Sequence, residues 1–259
     1  MKIHEGKLSD VTRYLERHDQ IPLEKMEDDF KLIMDKITRF KPIDNETQIL
    51  EIGVGTGWLP ILCKKKGLRC KGIEISPQLV EFAYEYGRRY GIEPDIELGN
   101  IEDADIGESR YDVIIATSVF EHVEHWQDGL ERIYRALRPG GAFFFYSTNK
   151  FSPVSGEYHF PLYGWLPDSW RYRLRMWRQG EDIMKLGIDF NQFTFPQLRR
   201  TFKRLGYSKI YDRLDLFCLR TAGNLNSKRG RILRIANRIP PLKHLVLVFT
   251  GGTQFVCIK

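Results

Sequence analysis

Long apolar runs are missing from this chain. Nothing in its 259 residues approaches the ~18 uninterrupted apolar residues of a membrane-spanning helix. Met1-Lys2-Ile3-His4-Glu5 opens no apolar run either, so no signal peptide is expected. Cysteine is scarce: Cys63, Cys70, Cys218 and Cys257 are scattered and form no Cys-x-x-Cys pair. That argues against a zinc site or a disulfide framework and makes a cytoplasmic setting the default expectation. Acid is scarce in one half only. Residues 151–259 hold 19 Lys+Arg against 7 Asp+Glu, whereas residues 1–150 hold 21 against 27. The net charge of +6 therefore hides a basic C-terminal part. A basic face suits an anionic partner, and it also serves plain solubility; both readings stay open.

A third glycine at dinucleotide spacing is also missing. Ile49-Leu50-Glu51-Ile52 is an apolar run closed by an acid, followed by Gly53-Val54-Gly55-Thr56-Gly57 and the helix-like Trp58–Lys66. The dinucleotide fingerprint Gly-x-Gly-x-x-Gly would place its last glycine at Trp58. Strand, tight turn and helix N-terminus remain, a place where backbone N–H groups lack internal partners and oxygen-rich ligands fit. Seventeen residues after Gly57, Glu74 closes the next strand, near the interval at which an acid meets ribose hydroxyls in such folds. A carboxylate can accept from both hydroxyls of a ribose.

Further strands are expected at 95–98 and at Tyr111–Thr117, whose near-continuous apolar run suits a parallel strand covered on both faces. After Leu137-Arg138-Pro139-Gly140-Gly141, read as a turn, another strand is expected over Ala142–Thr148. Helices are expected between these strands, and the alternation predicts a doubly wound, mostly parallel α/β sheet. Residues 8–40 read as helix, restarted at Pro22. Phe195–Tyr207 reads as an amphipathic helix closed by Gly206, then Ser208–Phe217 as a strand and Gly252–Lys259 as the last one.

Glu51/Gly53/Gly55/Gly57, Glu74, Gly99-Asn100, Tyr111-Asp112-Val113, Glu121-His122-Val123 and Leu137-Arg138-Pro139-Gly140-Gly141 together resemble the class I S-adenosylmethionine (SAM) methyltransferases, in particular the small-molecule enzymes similar to ubiquinone-pathway O-methyltransferases. The resemblance spans about residues 45–148. It implies a seven-stranded sheet with the last strand antiparallel, SAM as cofactor, and contacts from Glu51, Gly53, Gly55, Gly57, Glu74, Ile75, Asn100, Ile101 and Thr117. Asn100 departs from the acid usual at its position, and Asp103 competes for that role. The resemblance also implies an N-terminal segment over the cofactor mouth, with Tyr14, Arg17 or His18 as candidate contacts, against a plain helical cover of the sheet edge.

Methyl transfer from a sulfonium needs alignment and dryness more than a fixed catalytic residue. His122 and His125, after the fourth strand, are the candidate bases. Some relatives carry Glu-x-x-Glu-His there and bind a divalent metal; here Ser118 replaces the first Glu, so no metal is expected.

The whole of 1–259 reads as one domain: a helical cover (1–44), the SAM-binding core (45–148), an acceptor or lid insertion (149–193), and a C-terminal part (194–259) with a basic insertion (218–251). Tyr158, His159, Tyr163 and Trp165, in the aromatic and Arg-rich first insertion, are the candidate acceptor contacts. The expected acceptor is a small molecule or a lipid-linked intermediate, methylated on oxygen. The alternatives are an RNA methyltransferase and a non-catalytic SAM-binding module. Nucleic acid is disfavoured because Ser118-Val119-Phe120 stands where base-amino methylation uses Asn/Asp-Pro-Pro-Tyr/Phe. Residues 228–249, basic and apolar in alternation, are a candidate for peripheral membrane contact or an ordinary packed helix.

Overall fold

The computed structural model describes residues 12–154, 160–179, 191–219 and 227–259. Among them one seven-stranded sheet runs β3-β2-β1-β4-β5-β7-β6. In chain order the elements are α1 (Thr12–Asp19), α2 (Glu27–Thr38), β1 (Gln48–Ile52), α3 (Trp58–Lys65), β2 (Arg69–Glu74), α4 (Pro77–Arg88), β3 (Asp95–Leu98), β4 (Tyr111–Thr117), α5 (Trp126–Ala136), β5 (Leu137–Ser147), α6 (Asp168–Gln179), α7 (Phe195–Leu205), β6 (Lys209–Asp212), α8 (Arg213–Cys218), α9 (Lys228–Arg238), α10 (Pro240–Val248) and β7 (Thr253–Ile258). Strands β1 to β5 pair in parallel, and β7 inserts antiparallel between β5 and β6. The doubly wound sheet with a reversed last strand is as the sequence predicts.

Side-chain alternation divides the core between the two faces. Phe143 and Phe145 of β5 join Ile114 and Ala116 of β4 and Leu50 and Ile52 of β1 on one face, under Leu130 and Ile133 of α5, Leu198 and Phe202 of α7 and Leu247 of α10. Phe144, Val113, Ile115 and Ile49 face the other way, onto Phe30 and Ile37 of α2, Leu59 and Leu62 of α3 and Phe82 of α4. Both faces being covered explains why β4 reads as an unbroken apolar run. The strand order changes direction between β1 and β4. Sheets of this kind bind ligands at such a switch point, in the crevice outside the carboxyl ends of the strands.

Two expectations are corrected. Residues 208–217 are not one strand: β6 stops at Asp212. The Asp212 carboxylate accepts from the Leu214 and Asp215 N–H groups at 3.0 and 3.1 Å, and Asp215 accepts from the Asp212 N–H at 3.2 Å. This reciprocal cap starts α8 and overrides the strand-like alternation of Leu214 and Leu216. Those two residues then pack into opposite faces of the core. The Leu137–Gly141 segment is not a free turn either. β5 begins at Leu137, paired with Tyr111, and a register shift before Val113 absorbs the positive φ of 74° at Gly140.

The basic segment 228–249 forms two helices, α9 and α10, with Pro240 opening the second. Lys243 of α10 ties this pair to the sheet. Its Nζ lies 2.7 Å from Asp212 Oδ2 and 2.7 Å from Asp215 Oδ1. Burial pushes the Asp212 carboxyl up despite Lys243. Burial is the largest influence on Asp215 too and raises it, but the hydrogen bond and charge of Lys243, the Asp212 N–H and Asn237 together outweigh it and leave that carboxyl low. Lys243→Ala leaves two carboxylates without their cation. It is expected to lower unfolding free energy by about 3 kcal/mol, read as a shifted urea midpoint at unchanged slope.

Candidate functional site

The turn after β1 is built from three glycines at positive φ: Gly53 (68°), Gly55 (55°) and Gly57 (76°). Only glycine takes these angles without strain. Packing adds a second requirement. A Cβ on Gly53 would sit 2.4 Å from Val119 Cγ2, and one on Gly57 would sit 2.5 Å from Ala83 Cβ. The loop after β4 therefore lies directly on the glycine turn, and α4 closes it from the other side. Gly57 caps α3 without a side-chain bond, so the first N–H groups of α3 are not capped by its side chain.

Glu74 holds the turn. Its Oε2 accepts from Gly55 N–H at 2.9 Å, and its Oε1 accepts from Ile75 and Ser76 N–H at 2.9 and 3.0 Å. A carboxylate has about four acceptor positions, so three are filled and one on Oε2 is left. Burial pushes the Glu74 carboxyl up, and the three N–H bonds pull against it. Glu51, at the end of β1, is 2% exposed, and its Oε2 has no hydrogen-bond partner. Burial drives its carboxyl far above the usual range, with Cys63 and Glu74 adding to the effect. A buried acceptor without a donor calls for an explanation, and a ligand's donor would supply one.

Ile75 is exposed beside Glu74. Ile101 is buried in the core, so only its backbone can face a ligand. Asn100 Oδ1 accepts from Glu102 N–H at 3.0 Å and so shapes its own loop. Glu102 reaches across: its Oε1 accepts from Glu124 N–H at 2.8 Å and His125 N–H at 3.2 Å. The loops after β3 and β4 are joined by that acid, which the sequence reading did not single out. Thr117 ends β4 opposite Tyr146.

The two histidines differ. His122 ends a short 3-10 helix, Phe120–His122, and is partly buried. His125 is exposed at the start of α5. Beside His122, Glu121 is fully buried and accepts from Ser147 Oγ at 2.8 Å. Asn191, at the end of the first insertion, donates from Nδ2 to the carbonyls of Phe120 (3.1 Å) and Val123 (2.6 Å), and its N–H donates to Glu121 O at 3.1 Å. Ser118 enters this loop at a φ of 55°. Neither Glu121's pairing nor Asn191 was visible locally, since the partners lie 26 and about 70 residues away.

Among the candidate acceptor contacts, Tyr158 and His159 lie outside the described residues. Tyr163 is buried, with its ring under Arg171, whose Cζ is 5.7 Å from the ring centre. Trp165 is exposed and stacks on Phe249 at 6.2 Å. Tyr163 also lines a polar slot at the carboxyl end of β5, between Thr148, Asn149 and Ser152 on one side and Gly164, Gln192 and Gly251 on the other. Its cavity of about 10 Å³ is the size of a single oxygen-bearing group such as a water. Thr148 Oγ1, Asn149 Oδ1 and Gln192 Nε2 are buried there without hydrogen-bond partners. Asn149 Nδ2, by contrast, donates to the carbonyls of Leu247, Val248 and Thr250, which fixes the amide's orientation. A larger concavity of about 100 Å³, between 104–108 and Arg132 and Arg135, lies on the crossover from β3 to β4 and includes none of these groups.

Three comparisons bear on this arrangement. A family described as "Methyltransferase domain" matches residues 25–212. The ubiquinone biosynthesis O-methyltransferase of Methylobacterium sp. (strain 4-46) is 29% identical over 125 residues, 46% of this chain and 49% of that one. The malonyl-[acyl-carrier protein] O-methyltransferase of Priestia megaterium is 32% identical over 106 residues, 39% of this chain and 37% of that one. The chain thus spans about half the length, or less, of these curated relatives. A SAM-dependent methyltransferase from Archaeoglobus fulgidus shares the fold at a TM-score of 0.55, with 15% identity over 96% of this chain and 100% of that one. The family match runs from α2 through the glycine turn, Glu74 and the loop after β4 to the end of β6, and so takes in nearly the whole crevice. The chain therefore belongs to the methyltransferase-domain family, as a class I SAM-dependent methyltransferase distantly related to the ubiquinone biosynthesis O-methyltransferases.

Proposed function

We propose that the protein methylates an oxygen of a small-molecule or lipid-linked acceptor, with SAM held on the glycine turn. SAM bound there supplies an electrophilic methyl group on a sulfonium. The residues present fit it: Gly53, Gly55 and Gly57 leave the backbone open to close approach, Glu74 keeps one acceptor position for a ribose hydroxyl, and Glu51 Oε2 is an acceptor in want of a donor. Ile75 offers an apolar surface for a ring, and the Asn100–Ile101 backbone and Thr117 flank the same crevice.

The observation that carries the acceptor side is the stitching of the loop after β4 to the end of the first insertion by Asn191. It holds the Phe120–Val123 loop that carries His122. The slot after β5, with a hydroxyl, an amide oxygen and an amide nitrogen lacking partners, suits an oxygen function of the acceptor. The names of the two curated relatives, both O-methyltransferases, support oxygen over nitrogen. Tyr163 lines that slot.

His122 is the base in this reading, taking the proton from the attacking hydroxyl; exposed His125 is the lesser candidate. His122→Ala is expected to lower kcat about 100-fold while leaving SAM affinity unchanged, and His125→Ala to change kcat far less. Equal loss in both variants would remove the assignment. The acceptor class is tested by incubating the protein with SAM tritiated in the methyl group and cell extract, then separating lipid, RNA and small-molecule fractions. Label in the lipid or small-molecule fraction is expected; label in RNA alone would overturn the proposal.

A further inference from the structure

We infer that the outer face of α9 and α10 docks on an anionic lipid surface. Ile232, Ile235, Ile239, Leu242, Leu245 and Phe249 recur every three or four residues across the two helices, and each is 36–64% exposed. They line the exposed sides of two helices that pack on each other. The inward side of the pair is apolar as well: Ala236 and Leu247 are buried, and Leu233 and Val246 pack against the core. A surface helix of a soluble domain needs only one apolar side. The second side is exposed, with the exposed Trp165 ring stacked on Phe249, and exposed apolar residues grouped in this way mark an interaction surface.

Charge selects the partner. The sequence of α9, KRGRILRIANR, has five basic residues and no acid, and that of α10, PPLKHLVLV, has no acid either. Lys228, Arg231 and Arg238 are exposed on α9. Exposed apolar residues flanked by cations are complementary to a membrane with anionic headgroups: the aliphatic residues enter the acyl boundary and the cations meet the phosphates. Trp165, exposed and stacked on Phe249, adds a ring that is apolar in body and polar at its indole N–H, as at a lipid–water boundary. Among the described residues no helix is long and apolar enough to cross a membrane, so the contact would be peripheral. The inference rests on this surface alone and does not depend on the methyl acceptor.

The test is flotation of the full chain with vesicles of phosphatidylcholine, with and without phosphatidylglycerol. Binding to the anionic vesicles at low salt, released by salt, is expected. Arg231→Gln/Arg238→Gln should weaken it about 30-fold. Ile235→Ser/Leu245→Ser, which leaves charge untouched, should weaken it by at least that factor. SAM affinity, set by residues elsewhere, should stay unchanged in both variants and reports that they are folded. No flotation at low salt, or flotation unaltered by either double variant, would overturn the inference. So would a dimer in sedimentation that Ile235→Ser/Leu245→Ser dissociates, because these residues would then face a second copy. Binding to single-stranded RNA without any binding to vesicles would overturn it equally.

Discussion

Glu74→Ala is expected to weaken SAM binding about 1000-fold. Part of this is the direct contact: a hydrogen bond to a charged acceptor contributes about 1.5–3 kcal/mol. The rest is the turn itself. Glu74 accepts from the N–H groups of Gly55, Ile75 and Ser76, and truncation strips all three of their partner. A buried donor left unsatisfied costs about 1–3 kcal/mol, so the glycine turn must rearrange, and the rearranged turn no longer fits the cofactor. Glu74→Gln is the finer probe. It keeps Oε1 for Ile75 and Ser76 but sets an amide nitrogen against the Gly55 N–H, donor against donor. Its effect should fall between wild type and alanine. Burial raises the Glu74 carboxyl, so in the free protein it takes up a proton at a higher pH than an ordinary glutamate. The ionised form is the better acceptor for a hydroxyl. SAM affinity of the wild type should therefore fall as pH is lowered through that raised value, and affinity of Glu74→Gln should lack this step. Calorimetric titration across pH measures both.

The second large effect is on folding. Gly57→Ala is expected to destabilise the protein by about 4 kcal/mol, a sum of left-handed backbone strain and overpacking. Gly57 stands at a φ of 76°, and its added Cβ would lie 2.5 Å from Ala83 Cβ and 3.3 Å from Ala83 Cα. Ala83 is fully buried on α4 and has no side chain to swing away. A typical domain has only about 5–15 kcal/mol to lose, so the variant should unfold at markedly lower denaturant. Adding Ala83→Gly removes the clash and leaves the strain. The double variant should recover part of the loss, less about 1 kcal/mol for glycine within a helix. If Ala83→Gly restores nothing, the contact between the glycine turn and α4 is not the cause.

The glycine turn was legible because its information is local. Three alternate glycines admit a backbone that other residues cannot take, and the three positive φ angles follow. The same holds for the buried strands: the apolar run of β4 and the Phe143-Phe144-Phe145 alternation carry their own burial pattern. Local signals also misled. Leu214 and Leu216 alternate like a strand, yet Asp212 and Asp215, three apart, form the cap that turns the chain into α8. That spacing is itself local, and the cap it forms outweighs the alternation. Long-range pairs left no trace at all. Asn191 holding the loop of His122, Ser147 donating to Glu121, and Lys243 between Asp212 and Asp215 join residues tens of positions apart. Tyr163 shows the same limit from the other side: composition makes it a wall residue, and only the fold shows it buried under Arg171 and lining a polar slot.

The central claim is the place of the cofactor, and a crystal structure of the protein with S-adenosylhomocysteine tests it most directly. Ligand density is expected in the crevice between β1 and β4, with a ribose hydroxyl within hydrogen-bonding distance of Glu74 Oε2 and the amino-acid end over Gly53–Gly57 near Glu51. The face toward Asn191, His122 and the polar slot should remain open for the acceptor. Ligand density elsewhere, or in the crevice with Glu74 bonded only to Gly55, Ile75 and Ser76, would contradict it.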